Sequence, residues 1–297
     1  MATFAKSTFP HAAYATFRPA YPPSLYARVL AYHKGSRQIC VDLGCGHGVV
    51  ARAFSGEFDK VYGVDPSAGM IAQAKALTTS AAEKNVEFVQ TSAESLSFLP
   101  DQSVDLAVSG EAAHYFDYQR LFPELCRVMK PGGTLAFWAY MDHTYVDHPR
   151  ATAILHHYAC TDDKNLLGPY GPQPGLSNLR QRWRALQPPQ DEWTDIQRLE
   201  YDPGMKGTNS GEGTKLMGMK VTLGQSLEYI RTWSSYHGWQ EAHPDRKRRS
   251  DGGEGDVVDM LLDEMVAAEE GWRNSPSVMD QEVEIEWASA LILARKL

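Results

Sequence analysis

The sequence reads as an α/β protein: a mainly parallel sheet with helices on both faces, and a helical and loop cap inserted before the last strand. Three observations predict this. From Gln38 to Tyr140 short apolar runs alternate with helix-length segments, the rhythm of βαβ units. The first run ends in a glycine-rich turn, Gly44-Cys45-Gly46-His47-Gly48. Beyond Tyr140 the rhythm breaks into Gly-, Pro- and polar-rich stretches, and an apolar run returns only at Glu284–Leu293.

Taken in order, Gln38–Leu43 is the first predicted strand, followed by Lys60–Val64, Asn85–Val89, Ser103–Val108 and Gly133–Tyr140. Helices are expected between them over Met70–Thr78 and Gln119–Met129, and the crossovers should be right-handed. In the later region Asp162–Gly175, Pro203–Gly213 and Gln240–Gly255 read as loops. Amphipathic stretches lie between them at Pro149–Ala159, Leu223–Ser235 and Val257–Glu270. Ligands of open α/β sheets bind outside the carboxyl ends of the strands, so a cap over that end would form the substrate pocket.

Composition narrows the function classes without naming one. The chain has 297 residues, 43% of them hydrophobic, enough for one large domain or a domain with a sizeable insertion. No run of about 18 apolar residues suggests a membrane span. Met1-Ala-Thr-Phe-Ala-Lys-Ser lacks the basic-then-apolar pattern of a signal peptide. Cys40, Cys45, Cys126 and Cys160 show no CxxC pairing, so neither a disulfide framework nor a zinc site is expected, and the cytoplasm is the expected compartment. Net charge is −8, with one short basic run at Arg246–Arg249 that reads as a solvated loop. A nucleic-acid partner would need a wider positive footprint. The sequence leaves the oligomeric state open.

The glycine turn carries the chemistry. Glycines here permit positive φ and let a ligand approach the backbone closely, and the following helix start offers free N–H groups. A dinucleotide fingerprint would want Gly or Ala where Val49 stands; the spacing is instead Gly44-x-Gly46-x-Gly48. Asp42, just before the turn, can order the loop or meet a ligand ammonium. Asp65 ends the second strand, where a carboxylate can accept both hydroxyls of a ribose. Lone acids at strand ends more often cap the next helix, and Asp65-Pro66-Ser67 suits that role. At this distance from the glycine loop the ribose reading is preferred. Thr91-Ser92-Ala93-Glu94 follows the third strand and can flank an adenine, although Glu94 equally suits a helix start.

In order and spacing these pieces resemble the class I S-adenosylmethionine-dependent methyltransferases, as does Leu125-Cys-Arg-Val-Met-Lys-Pro-Gly-Gly-Thr134 before the fifth strand. The resemblance covers about Tyr14 to Tyr140. It implies a Rossmann-like seven-stranded sheet with its last strand antiparallel, and S-adenosyl-L-methionine as cofactor. A narrower similarity, to the fungal branch that includes trans-aconitate methyltransferase, rests on Tyr14-Ala-Thr-Phe-Arg18-Pro-Ala-Tyr21, Glu111-Ala-Ala-His114-Tyr115-Phe116, Leu227-Glu-Tyr-Ile-Arg231-Thr-Trp233-Ser-Ser-Tyr236 and the terminal Glu286–Lys296. That branch implies O-methylation of small carboxylic acids, with some members recruited to secondary metabolism. The cap departs most from it.

The implied division is an N-terminal lid over residues 1–34 and a cofactor-binding core over 35–141. A substrate-binding cap follows over 142–280, with an extra core strand near 194–201, and 281–297 form the final strand. Carried over, Asp42, Gly44, Gly46 and Gly48 would hold the methionine half of the cofactor, and Asp65, Ser67 and Met70 the ribose region. Ala93 and Glu94 would meet the adenine, and Ser109, Gly110 and Glu111 would run beside the methionine moiety. Tyr14 and Arg18 would close over the site, although a surface ion pair suits Arg18 as well.

Methyl transfer is an in-line displacement in which the protein aligns nucleophile, methyl and sulfur and excludes water. A carboxylate nucleophile needs no base, whereas an alcohol or phenol benefits from one. His114 is the candidate catalytic residue, either orienting a carboxylate or taking a proton from a hydroxyl. Substrate contacts are expected from Tyr21, Tyr115, Trp138, Tyr140, Arg231, Trp233 and Tyr236, the last three on one predicted helix. Trp and Tyr at helical spacing also suit a core. His143 and His156-His157 have no acid or cysteine at metal-ligand spacing and read as ordinary polar residues. Two other functions fit the same sequence: a non-methylating catalyst that retains the cofactor, and a non-catalytic binding protein, which degenerate motifs would favour. Fold alone does not choose among them.

Overall fold

The computed structural model describes residues 18–207 and 210–297. Tyr14, expected over the site, lies outside them. The chain opens with helix α1 (Pro23–Tyr32), started by a proline in its first turn. Strands β1 (Ile39–Leu43), β2 (Lys60–Asp65), β3 (Val86–Gln90), β4 (Val104–Gly110) and β5 (Met129–Tyr145) follow. Helices α2 (Val49–Ala53), α3 (Ala68–Leu77) and α4 (Tyr118–Val128) connect them. Four more strands follow, β6 (Trp193–Asp202), β7 (Glu212–Gly213), β8 (Gly218–Thr222) and β9 (Glu282–Lys296). Among the described residues eight of the nine strands run in the order β3-β2-β1-β4-β5-β9-β6-β7, and β8 pairs with β9 off that path. The five-strand half is parallel throughout. The last strand, β9 (Glu282–Lys296), runs antiparallel between β5 and β6 (Trp193–Asp202).

Six expected strands thus stand close to their predicted places, and the strand expected near 194–201 is β6. Two short additions raise the count from seven. β7 (Glu212–Gly213) extends the β6 edge, and β8 (Gly218–Thr222) pairs with the first residues of β9. The Glu282–Glu286 end of β9 lies beyond its pairing with β6, which stops at Ser289, so that edge is open to receive β8 while Ile285 and Glu286 still pair with β5 on the other side.

Apolar residues fill both faces of the sheet. On one, Leu25 and Val29 of α1 and Val50 and Ala51 of α2 pack with Val61, Leu106 and Trp138. On the other, Leu121, Leu125 and Val128 of α4, spaced to share one helix face, pack against Val41, Val104 and Leu135. The cap comprises α5 (Pro149–Cys160), α6 (Gly175–Arg180), α7 (Leu223–Ile230), α8 (Ser234–Ala242), α9 (Val257–Ala268) and α10 (Glu270–Arg273).

One predicted cap helix is two. Leu223–Ser235 breaks after Ile230 because the Thr232 hydroxyl donates to the Tyr229 carbonyl at 2.6 Å, and Trp233 is extended, with φ −69° and ψ 144°. A threonine bonding back to the preceding turn offers the backbone an alternative to the helix. The basic run is also more engaged than a solvated loop: Arg248 pairs with Glu228 and Arg249 with Asp263. Among the described residues no helix is long and apolar enough to cross a membrane.

Candidate functional site

The loops leaving the carboxyl ends of β1, β2, β3 and β4 line a cavity of about 290 Å³, close to the lower end of the small-molecule pocket range of about 300–1,000 Å³. Gly44, Gly46 and Gly48 have φ of 68°, 53° and 85°, so the chain turns here in a conformation L side chains rarely adopt. Their neighbours differ. A Cβ on Gly48 would lie 2.6 Å from the Phe88 ring, whereas one on Gly46 would meet no atom within 4 Å. Gly44 and Gly46 line the cavity, and Gly48, which caps α2, stands behind it.

Asp42 is fully buried, outside the cavity wall, and accepts the Ala51 N–H at 3.0 Å. Of its two sequence roles the structure places it in the first, ordering the turn into α2. Burial pushes its carboxyl up to about 8. Asp65 lines the cavity and braces it, accepting the Gly46 N–H at 3.0 Å and the Ser67 N–H at 2.8 Å. The cap of α3 is Ser67 itself, whose hydroxyl accepts the Met70 N–H. Ser67, Met70, Ala93 and Glu94 line the same cavity, with Glu94 also accepting the Asp117 N–H at 2.9 Å. Ser109 does not reach it. Its hydroxyl is buried and donates to the Leu43 carbonyl at 2.9 Å, tying β4 to the end of β1.

A second cavity of about 70 Å³ adjoins the first, and four residues line both: Arg18, Glu111, Tyr115 and Tyr140. The Arg18 guanidinium donates to the Tyr140 hydroxyl at 3.2 Å and lies 5.6 Å from the centre of the Tyr229 ring. Glu111 has φ 58°, a strained conformation for a non-glycine residue. It is held there by its N–H donating to the Trp138 carbonyl and its carboxylate accepting the Tyr140 N–H at 2.8 Å. Burial pushes the Glu111 carboxyl up to about 8, against the lowering effects of that N–H and of Arg18.

His114, in a short 3₁₀ turn after β4, lines the second cavity and packs against Tyr115 and Trp183. Its Nδ1 is buried and has no hydrogen-bond partner among the described residues. Burial, with Arg18 adding to it, lowers the imidazole to about 3, so it is neutral at physiological pH. A neutral imidazole with so low a pKa can donate one N–H to an acceptor but is a poor proton acceptor.

The expected substrate residues divide. Tyr21 lines the first cavity, and Tyr115, Tyr140 and Trp233 line the second. Trp138 is buried behind Gly110, edge-on to Tyr21, with its ring outside both cavity walls. Arg231 and Tyr236 are corrections to the sequence reading. The Arg231 guanidinium spans Asp256 through two 3.0 Å bonds and reaches Asp259 and Glu228, while the Tyr236 hydroxyl donates to Asp256 at 2.7 Å. Both are committed to a buried carboxylate at the start of α9, away from either cavity.

The cation the sequence did not single out is Arg180, at the end of α6. It lines the second cavity, donating to Asp142 at 2.8 Å and to the Ala159 carbonyl at 2.9 Å. Asp142 is 38 positions away in sequence, so no local spacing marks the pair. Among the described residues no group of three His, Cys, Asp or Glu is placed to hold a metal. His143 is fully buried among Tyr145, Tyr229, Trp233 and Trp287, and among the described residues neither ring nitrogen has a hydrogen-bond partner.

Residues 41–137 match the family described as "Methyltransferase domain". Over 99% of this chain and 98% of the other, the sequence is 28% identical to CRG1 of Saccharomyces cerevisiae, a probable S-adenosylmethionine-dependent methyltransferase. It is 27% identical to methyltransferase ptaI of Pestalotiopsis fici over 68% of this chain and 66% of that one. A candidate type II methyltransferase of Anaeromyxobacter dehalogenans, 25% identical, superposes with a TM-score of 0.67 over 94% of this chain and 98% of its own. The open face above Gly46, the adjoining Asp65 carboxylate and the Ala93–Glu94 wall fit a nucleoside-bearing ligand, and together with these likenesses they indicate a class I S-adenosylmethionine-dependent methyltransferase.

Proposed function

We propose that the enzyme transfers a methyl group to a carboxylate oxygen of a small acidic molecule, binding the cofactor in the larger cavity and the substrate in the smaller. The observation that carries this reading is the position of Arg18, a cation on the wall of both cavities beside a neutral imidazole. Gly44 and Gly46 present the backbone to the methionine half of the cofactor. Asp65 meets the ribose, and Ala93 with Glu94 flanks the adenine. The cofactor supplies a methyl already activated on a sulfonium.

The protein's own task is then alignment. Arg18 attracts and orients the acid, with a charge-assisted hydrogen bond as its strongest available contact. His114 donates to the oxygen that does not react. Tyr115 and Tyr140 fill the space where the cavities meet and keep water from the reacting line. Arg180, paired with Asp142, forms the far wall and limits substrate length. A carboxylate needs no base, which suits a site whose histidine is a poor proton acceptor. The smaller cavity's size supports a small molecule of the trans-aconitate kind or a fungal secondary metabolite.

The test incubates the enzyme with methyl-deuterated S-adenosylmethionine and a panel of small acids including trans-aconitate, with products read by mass spectrometry before and after mild alkali. A labelled product that alkali cleaves supports carboxyl methylation. A labelled, alkali-stable product moves the target to a hydroxyl, nitrogen or carbon. An unlabelled product formed without consumption of the cofactor means non-methylating catalysis on this fold.

A further inference from the structure

Among the described residues Glu111 is the one carboxyl shared by the two cavities. One of its oxygens is fixed by the Tyr140 N–H at 2.8 Å, and its strained backbone is tied to the Trp138 carbonyl. Charged and titratable groups face it from each surrounding element. These are Arg18 from the N-terminal segment, Tyr140 and Asp142 on β5, His114 and Tyr115 in the 3₁₀ turn, and Tyr229 on α7. Asp142 is already paired with Arg180, and His114 is neutral. Among the described residues Arg18 is therefore the permanent cation on the wall of both cavities, and Glu111 is the carboxyl there able to change its charge.

We propose that Glu111 reads the charge of the cofactor, losing its proton when the cationic sulfonium of S-adenosylmethionine binds and keeping it when the neutral thioether of S-adenosylhomocysteine binds. This rests on the reading that the larger cavity holds the cofactor. Its consequence is a junction of constant net charge. Arg18 with a protonated Glu111 carries +1; adding a sulfonium and removing the Glu111 proton leaves +1 again. An anionic substrate then meets the same field in each state. The spent cofactor, which offers no charge to the carboxylate, loses the affinity that the ion pair provided.

The sign follows from linkage. Burial pushes the Glu111 carboxyl up to about 8, and a positive charge within about 4–6 Å lowers a carboxyl by about 1–3 pH units. S-adenosylmethionine binds the ionised form better, so its affinity rises with pH between the bound and free values and levels off above the latter. Shifts of that size give a rise of about 5- to 25-fold between pH 6.5 and 8.5. The α-ammonium of S-adenosylmethionine is more acidic than that of S-adenosylhomocysteine, because the sulfonium withdraws electrons from it, so each profile is first corrected for the ligand's own titration measured in free solution.

The experiment is calorimetry of both ligands across that range, in buffers of different ionisation enthalpy so that proton release is counted directly. The wild type should show the rise, and net release at pH 7.5, with S-adenosylmethionine only. In Glu111→Gln the two ligands should follow one pH profile within about twofold. Parallel profiles in the wild type overturn the inference without recourse to any variant, and so does a rise that survives Glu111→Gln. Asp65→Ala and Gly46→Ala separate the two readings. If both weaken S-adenosylhomocysteine while the wild-type profiles stay parallel, Glu111 alone was misread. If neither weakens it, the cavity assignment falls and the inference with it.

Discussion

Replacing Gly48 and, separately, Gly46 by alanine should damage the protein in two different ways, although the residues lie two positions apart in one motif. Both have positive φ, 85° and 53°, so either alanine incurs about 1–2 kcal/mol for the left-handed conformation. At Gly48 the new Cβ would also sit 2.6 and 2.7 Å from two atoms of the Phe88 ring and 2.9 Å from Arg52 Nη1. Phe88 is buried in β3, so relief requires moving core, and overpacking of this kind costs about 1–3 kcal/mol more. The total is about 2–5 kcal/mol, or a fall in Tm of roughly 3–8 °C for a domain of this size. At Gly46 no atom lies within 4 Å of the Cβ position, so only the backbone cost applies. That methyl instead occupies space above the loop where a ligand must approach, and S-adenosylhomocysteine affinity should drop at least about tenfold, or 1.4 kcal/mol. Differential scanning calorimetry gives the first quantity and isothermal titration the second. Equal losses of stability in the two variants would refute the packing argument, and unchanged affinity in Gly46→Ala would remove the loop from the binding site.

Three further outcomes are expected. Asp65→Ala should abolish measurable cofactor binding by calorimetry, because it removes a cavity carboxylate and frees the Gly46 N–H it braces; unchanged affinity would sink the ribose assignment. His114→Ala should lower kcat with the alkali-labile substrate by about 10-fold or more while S-adenosylhomocysteine affinity stays within about threefold, as expected of a group that orients the acid; an unaltered rate would exclude His114 from the mechanism. Arg231→Met should destabilise by about 3–5 kcal/mol in urea, since it strands the buried Asp256, with kcat/KM of the folded fraction little changed; a stable variant with a raised KM would return Arg231 to the substrate. Asp256 also sets a pH dependence. Burial raises its carboxyl, but Arg231 and the Tyr236 hydroxyl outweigh this and hold it below the usual carboxylate range. Its contribution is therefore complete at neutral pH and disappears as the pH falls below about 4, a loss that Asp256→Asn should flatten.

The parts of the site that were legible in the sequence are those built within one βαβ unit. Gly44, Gly46 and Asp65 lie on adjacent strand ends, so a fixed spacing along the chain becomes a fixed distance in space. The Asp65–Gly46 hydrogen bond spans 19 positions, a strand-to-strand step that recurs wherever this unit is built. Gly48 carries the same signature for another reason, packing against Phe88, and sequence cannot separate a glycine that makes room for a ligand from one that makes room for a ring. Ser109 shows the same ambiguity, since its motif position is fixed by a bond to Leu43.

In the cap the pattern failed where partners were distant. Arg231, Trp233 and Tyr236 do share helix-like spacing, but Thr232 breaks the helix and Asp256, 25 positions on, captures two of the three. Neither the break nor the capture leaves a periodic trace. Arg180 was invisible because its six-residue helix follows a Gly- and Pro-rich loop, and its meaning depends on Asp142 at the end of β5. β8 leaves no trace in the sequence for a related reason: its residues are mostly exposed, so no buried face betrays a strand that exists only because β9 is long enough to pair with it.

That length has a mechanical consequence. β9 is held by β5 and β6 along most of its course, and by β8 at its first residues, so one uninterrupted strand stitches cap and core together. Swinging the cap away as a rigid door would mean shearing a ladder of backbone hydrogen bonds. Ligands must therefore enter and leave by local movement of chain at the rim of the cavities. On the proposed substrate site, a new substrate preference would for the same reason be reached by exchanging residues within the existing cap, and a transplanted cap would have to bring its own share of the central sheet.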